Sequence, residues 1–210
     1  MNLHDALREE FMYPLPGWPY QRKLAPETRQ QFNRDETGVT DAAVSILLLD
    51  PVPEIVLIRR AEYEGHHSNQ VSFPGGKKDV SDASLLHTSI RETYEEIGVR
   101  PEPTEYAGEL TPLDIPVSNY RVFPFVFHLQ REVDFKPDPA EVRYIIRFPA
   151  RDLLDDSLIK MVTPKADSSW FKDIPYYDLA NEFVWGATSM ILSEFAEILK
   201  RIHKKNPGLL

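Results

Sequence analysis

The chain has 210 residues, 42% of them hydrophobic, and 33 acidic against 24 basic side chains give it a net charge of −9. That is apolar material for one α/β domain with a real core and too little length for two comfortable ones. The absence of cysteine excludes disulfides, thiolate metal sites and cysteine nucleophiles, and the acidic balance argues against nucleic-acid binding, which rests on Lys and Arg neutralising phosphates.

Residues 1–38 read as a wrapping segment, leaving 39–210 as the domain proper. A short amphipathic helix over Leu3 to Phe11 is followed by the proline-punctuated stretch Pro14-Leu15-Pro16-Gly17-Trp18-Pro19, then by Arg22, Lys23 and Arg29. Ala42 to Asp50 is a buried strand by its length and apolar run. Pro51-Val52-Pro53 reads as a turn and Glu54 to Arg60 as the returning strand. Val71-Ser72-Phe73 is a short strand that Pro74 ends, with Gly75 and Gly76 behind it.

The clearest helix runs from Asp82, a good N-cap, to Gly98, placed to stop it. Beyond it, Glu105 to Leu110, Arg121 to Leu129 and Glu141 to Phe148 read as strands, with Pro124 suggesting an edge or bulge. Arg151 to Asp155 reads as a short helix. The last helix, Ala187 to Lys204, repeats Ile191, Leu192, Phe195, Ile198, Leu199 and Ile202 at helical spacing. Trp185 and Phe183 ahead of it read as core before an aromatic platform for a ligand ring. Strands mixed with two long helices and one clear βα step point to a mixed sheet between helices. No apolar run spans a membrane and no secretory signal opens the chain, so a cytoplasmic location is the simplest reading.

On the helix wheel, Leu86, Ile90, Thr93 and Ile97 form a core-facing stripe, and Glu92, Glu95 and Glu96 fall on the opposite side. Related by i+3 and i+4, the three carboxylates are neighbours whose repulsion disfavours the helix unless something positive sits among them. Divalent hard cations prefer such oxygens. Arg91 reaches Glu95 at i+4. A solvated acidic face would explain the glutamates alone, and a plain turn the glycines alone. The pairing of Phe73-Pro74-Gly75-Gly76 with the acidic helix is the specific signal, because paired glycines after a strand let backbone approach a ligand.

Gly76 to Val99 resembles the Nudix box of diphosphate hydrolases, Gly-x5-Glu-x7-Arg-Glu-hydrophobic-x-Glu-Glu-x-Gly-hydrophobic. Asp82 stands for its first Glu, eight residues rather than seven precede Arg91-Glu92-Thr93-Tyr94-Glu95-Glu96-Ile97-Gly98-Val99, and Thr93 replaces a hydrophobic residue. The lengthened first half is similar to the coenzyme A branch of that family. So are Arg60, His67 and Gln70-Val71-Ser72-Phe73-Pro74-Gly75-Gly76, whereas Glu64-Gly65 and Asn69 depart from that branch's Leu-Arg pair and glycine. Pro16 to Pro26, Val117-Ser118, Val122 to Val126, Glu141-Val142 and Val184 to Thr188 extend the likeness.

The resemblance implies a Nudix-type α/β/α sandwich and a small nucleoside diphosphate substrate, coenzyme A before ADP-ribose, NADH or a dinucleoside polyphosphate. A non-catalytic ligand sensor is the competing reading, opposed by the intact glutamates. It also implies Mg²⁺ or Mn²⁺ held by Glu92 and Glu96, with Glu95 as third ligand or outer partner and the Gly75 carbonyl completing the set. The base that takes the proton from water is a helix glutamate or Glu141. Arg60 is expected to contact phosphate, and His67, beside His66 on a loop, is a second substrate candidate. No nucleic acid or membrane partner is expected, and a homodimer is compatible with the sequence.

Overall fold

A computed structural model describes residues 1–26, 38–62, 68–163 and 173–210. Three helices flank the strands that position the site: α1 (Leu3–Glu10), α3 (Leu85–Ile97) and α4 (Gly186–Lys205), with one short turn, α2 (Trp18–Gln21). The main sheet contains β1 (Thr40–Leu49), β2 (Glu54–Arg60), β3 (Val71–Ser72), β4 (Gly75–Lys77), β5 (Tyr106–Glu109), β6 (Leu113–Ile115), β7 (Tyr120–Leu129) and β8 (Val142–Pro149). A second sheet holds β9 (Ile159–Val162), β10 (Ile174–Leu179) and β11 (Glu182–Trp185), paired β11-β10-β9.

The main sheet is mixed. β1 and β7 run parallel over their whole lengths, while every other pairing is antiparallel. β1 and β2 stay paired only at their hairpin end, at Leu48↔Ile55 and Leu49↔Glu54. Beyond that they splay, β4 pairing the free length of β1 and β3 that of β2. The splay opens the sheet where the glycines lie.

Strand alternation then sorts the core into two layers. Ala43, Leu47, Val56, Ile58, Phe125 and Phe127 pack with Ile97 beneath α3. Ala42, Ile46, Leu48, Ile55, Leu57 and Val126 face the other way, onto Ile191, Leu192, Phe195, Ile198 and Leu199 of α4. Each such side chain, fully buried, contributes about 1.5–3 kcal/mol. The result is the helix–sheet–helix sandwich expected. No described helix is long and apolar enough to cross a membrane.

Several local expectations shift. The site helix starts at Leu85 with Ser84 as its N-cap, the Ser84 hydroxyl accepting from the His87 N–H, so Asp82 does not cap it. Gly98 ends it in the left-handed region, as expected. The buried stripe of α3 is rotated by about one residue: Ser89, Thr93, Glu96 and Ile97 are buried, while Leu86 and Ile90 are only partly covered. β7 is no edge strand. Its Pro124 faces the junction where partner β6 gives way to β5, and its carbonyl accepts from the Leu110 N–H at 2.9 Å. The missing N–H therefore falls at a break in the ladder. Phe183, 37% exposed, and half-buried Trp185 are not core; with Tyr176 they line the outer face of β10 and β11. Only the inward residues Tyr177, Leu179 and Val184 join the core.

Candidate active site

The carboxylates lie where β1 and β2 part. Gly75 begins β4 opposite Val44, with a φ of +149° that only glycine adopts comfortably. A Cβ there would overlap the backbone of Ala43 and Val44. This close fit aims the Gly75 N–H at α3, where it donates to Glu96 Oε2 at 2.8 Å. Gly75 thus meets the carboxylate through its amide, while its carbonyl is the group that the resemblance implies as a metal ligand. Gly76 follows against Glu92, whose carboxylate a Cβ at that position would overlap.

The three glutamates of the helix occupy different environments. Glu96 is 1% exposed, and burial pushes its carboxyl up to about 8. The Gly75 N–H and Arg60 act in the opposite direction, while Glu92 and Glu141 add to the rise. Arg60 Nη1 lies 3.3 Å from Glu96 Oε1. Burial likewise raises Glu92, opposed by Arg91 and reinforced by Glu95 and Glu141. Glu95 is more than half exposed and meets Arg91 at 2.7 Å. Glu141 is exposed just ahead of β8; its carbonyl accepts from the Ala61 N–H at 2.8 Å, and its charge is felt at both Glu92 and Glu96.

Arg91 organises the group. Its Nη1 lies between Glu92 at 2.9 Å and Glu95 at 2.7 Å, and its Nε and Nη2 hold Asp82 at 2.9 and 2.8 Å. Asp82 also accepts from the Asp79 N–H and the Thr88 hydroxyl, each at 2.9 Å. The Arg91 hydrogen bonds hold the Asp82 carboxyl well below the usual carboxylate range, and the same contact raises the guanidinium. This anchoring role escaped the sequence reading, which used Asp82 as a helix cap. Its position as the first acid of the signature was the available signal.

The donor set fits a hard divalent cation. One buried and one partly buried carboxylate carry raised pKa values beside a third acid, so the cluster calls for a compact positive partner, and all the donors are oxygen. Among the described residues no three acid or histidine side chains converge as a ready-made ligand set: Glu92 is turned to Arg91 and Glu96 to the Gly75 amide. Of the candidates read from sequence, the fold brings Glu92, Glu95, Glu96, Arg91, Arg60, Glu141 and Gly75 together. His67 and its neighbour His66 lie outside the described residues, as does Arg29.

A family model described as the NUDIX domain matches residues 39–168. The chain belongs to the Nudix family. Its relatives include a protein of Pectobacterium atrosepticum named as an uncharacterized Nudix hydrolase, NudL, 30% identical over 184 residues that cover 84% of this chain and 89% of that one. A NudL protein of Yersinia pestis is 31% identical over 164 residues, 74% of this chain and 78% of that one. Among solved structures, a MutT/nudix family protein from Enterococcus faecalis superposes with a TM-score of 0.54 at 16% identity, covering 91% of this chain and 76% of that one. A binary complex of an Ap4A hydrolase from C. elegans gives 0.52 at 15% identity, covering 78% and 99%. At such identities the two structures speak to the fold alone. As a Nudix hydrolase the chain acts on pyrophosphate bonds. The family's substrates are small nucleoside diphosphate derivatives, and its members generally use divalent ions such as Mg²⁺ or Mn²⁺.

Proposed function

We propose that this Nudix hydrolase splits the diphosphate of coenzyme A or an acyl-CoA, releasing 3′,5′-ADP and 4′-phosphopantetheine or its acyl form. The observation that carries the reading is that Arg60 and Gln70-Val71-Ser72-Phe73-Pro74-Gly75-Gly76 are similar to the coenzyme A branch, with Arg60 and the Gly75 amide both meeting Glu96. The Arg60 N–H donates to the Gln70 carbonyl at 3.0 Å, so Arg60 and Gln70 are tied together beside Glu96.

Within this reading Glu92 and Glu96 hold the metal, with Glu95 completing or supporting the set. The bound cation would neutralise phosphate oxygens and lower the pKa of the attacking water. Arg91, locked on Asp82, keeps Glu92 and Glu95 in place. Arg60 contacts the diphosphate. A carboxylate, Glu141 or one of the helix glutamates, takes the proton from water as its oxygen bonds to phosphorus and the bridging P–O bond breaks. Gly17 and Gln21 act as a brace on the domain: buried Glu194 of α4 accepts from the Gly17 N–H at 2.9 Å, Gln21 Nε2 at 2.8 Å and the Thr111 hydroxyl at 2.7 Å.

The test is side-by-side turnover of CoA, ADP-ribose and NADH with Mg²⁺ and with Mn²⁺. Phosphopantetheine release from CoA should be the fastest reaction and should disappear in Glu96→Gln. Faster cleavage of ADP-ribose would replace this substrate with another of the family's range, and product-free, metal-independent binding would replace hydrolysis with ligand sensing.

A further inference from the structure

β2 and β8 pair in register from Glu54↔Pro149 to Arg59↔Tyr144, and then the register slips, so that Arg60 faces Val142. Arg143 is the additional residue of this β-bulge. A bulge removes its extra residue from strict alternation and re-aims the side chain. This one stands opposite Arg60, whose guanidinium meets Glu96.

Re-aimed, the exposed Arg143 guanidinium comes within 3.5 Å of Asn69 Oδ1. Asn69 is itself fixed. Its φ is +55°, its carbonyl accepts from Arg59 Nη1 at 2.7 Å, and its N–H donates to the Ala61 carbonyl at 3.3 Å. A left-handed residue is cheapest as glycine or asparagine, so the exchange of the branch's glycine for Asn69 keeps the backbone. What it adds is an amide oxygen directed at Arg143.

The other arginines of this region are engaged with acids: Arg60 with Glu96, Arg91 with Asp82, Glu92 and Glu95, and Arg59 with Glu182. Arg143 has no carboxylate partner among the described residues; its one contact there is with a neutral amide. Its backbone lies one strand outward from Arg60, a spacing of about 4.8 Å, and its guanidinium, unlike that of Arg60, is not committed to a carboxylate among the described residues. Guanidinium pairs with phosphate through two parallel hydrogen bonds, a geometry lysine cannot copy.

We propose that Arg143, positioned by Asn69, binds a phosphate of the substrate that lies outside the scissile diphosphate. Resting on the coenzyme A reading, that group is the ribose 3′-phosphate, and the pair is a specificity device for it.

Titration calorimetry with adenosine 3′,5′-bisphosphate and with AMP tests this without turnover. The native chain should prefer the bisphosphate by roughly tenfold, the size of a charge-assisted contact near the surface. Arg143→Ala should bring the preference close to one with the loss confined to the bisphosphate, Arg143→Lys should keep only part of it, and Asn69→Gly should weaken it while leaving the backbone conformation free to form. In kinetics the KM for CoA should rise in Arg143→Ala more than that for 3′-dephospho-CoA. A preference that survives Arg143→Ala overturns the proposal, as does equal weakening of both ligands, which would mean contact with the diphosphate itself. A native chain that shows no preference also overturns it. If Arg143 controls the preference yet CoA is not cleaved, the substrate reading fails and the phosphate site stands.

Discussion

Thr93 stands where the Nudix signature carries a hydrophobic residue, and its neighbours account for the exchange. Its hydroxyl is buried 2.7 Å from the Ser89 carbonyl and 2.7 Å from the Ser45 hydroxyl of β1, so a polar contact replaces an apolar one at the helix–sheet junction. Thr93→Val removes that link and should cost about 1 kcal/mol, read from urea midpoints. Asp82 gives a pH signature. Because Arg91 depresses its folded pKa well below the ordinary carboxylate value, its contribution is complete above the unfolded value and fades as pH falls towards the folded one. Asp82→Asn should therefore be less stable than the native chain at neutral pH, and the gap should narrow below pH ~4. An unchanged gap between pH 2.5 and 6 would show that the Arg91 contact contributes no linkage.

At the scale of elements, α3, α4 and the β1–β2 hairpin were legible because long periodic runs and explicit stop signals bound them. Ser84 is the clearest miss on α3: Asp82 and Ser84 are both good caps, and only the demand of Arg91 for a buried partner decides between them. Ser84→Ala should lower stability by about 1 kcal/mol, measured by thermal or urea unfolding, with the carboxylate site intact. The rotation of the buried stripe has a similar origin. Gly75 binds Glu96, so the helix turns its polar Ser89–Thr93–Glu96 line inward, against the apolar ranking on which a helix wheel relies. β10 and β11 were missed because Pro175 and an outward aromatic face obscure their alternation. The site glutamates were legible from spacing and resemblance, whereas the Asn69–Arg143 contact needs a bulge that no local pattern announces.

For the molecule as a whole, the ion site proposed above predicts that folding and metal binding are coupled through buried Glu96 and partly buried Glu92. A cation at a hundred times its Kd adds about 2.7 kcal/mol, which for a chain of this size raises Tm by roughly 5–10 °C. Mn²⁺ should produce that shift in calorimetry and chelation should reverse it, while Glu92→Gln and Glu96→Gln should lose most of it; a full shift in both variants would place the ion elsewhere. Glu194 ties the ends together in another way. It is fully buried and its partners are neutral donors, so Glu194→Ala, which strands those donors, should cost about 3 kcal/mol. The Gly17–Glu194 bond also spans 177 residues. At a synthesis rate of about 5–20 residues per second, Gly17 precedes its partner by roughly 10 to 35 s. During translation Gly17 must therefore wait for the α4 segment to emerge before that clasp can close, so the contact cannot form until the sheet between them has been synthesised.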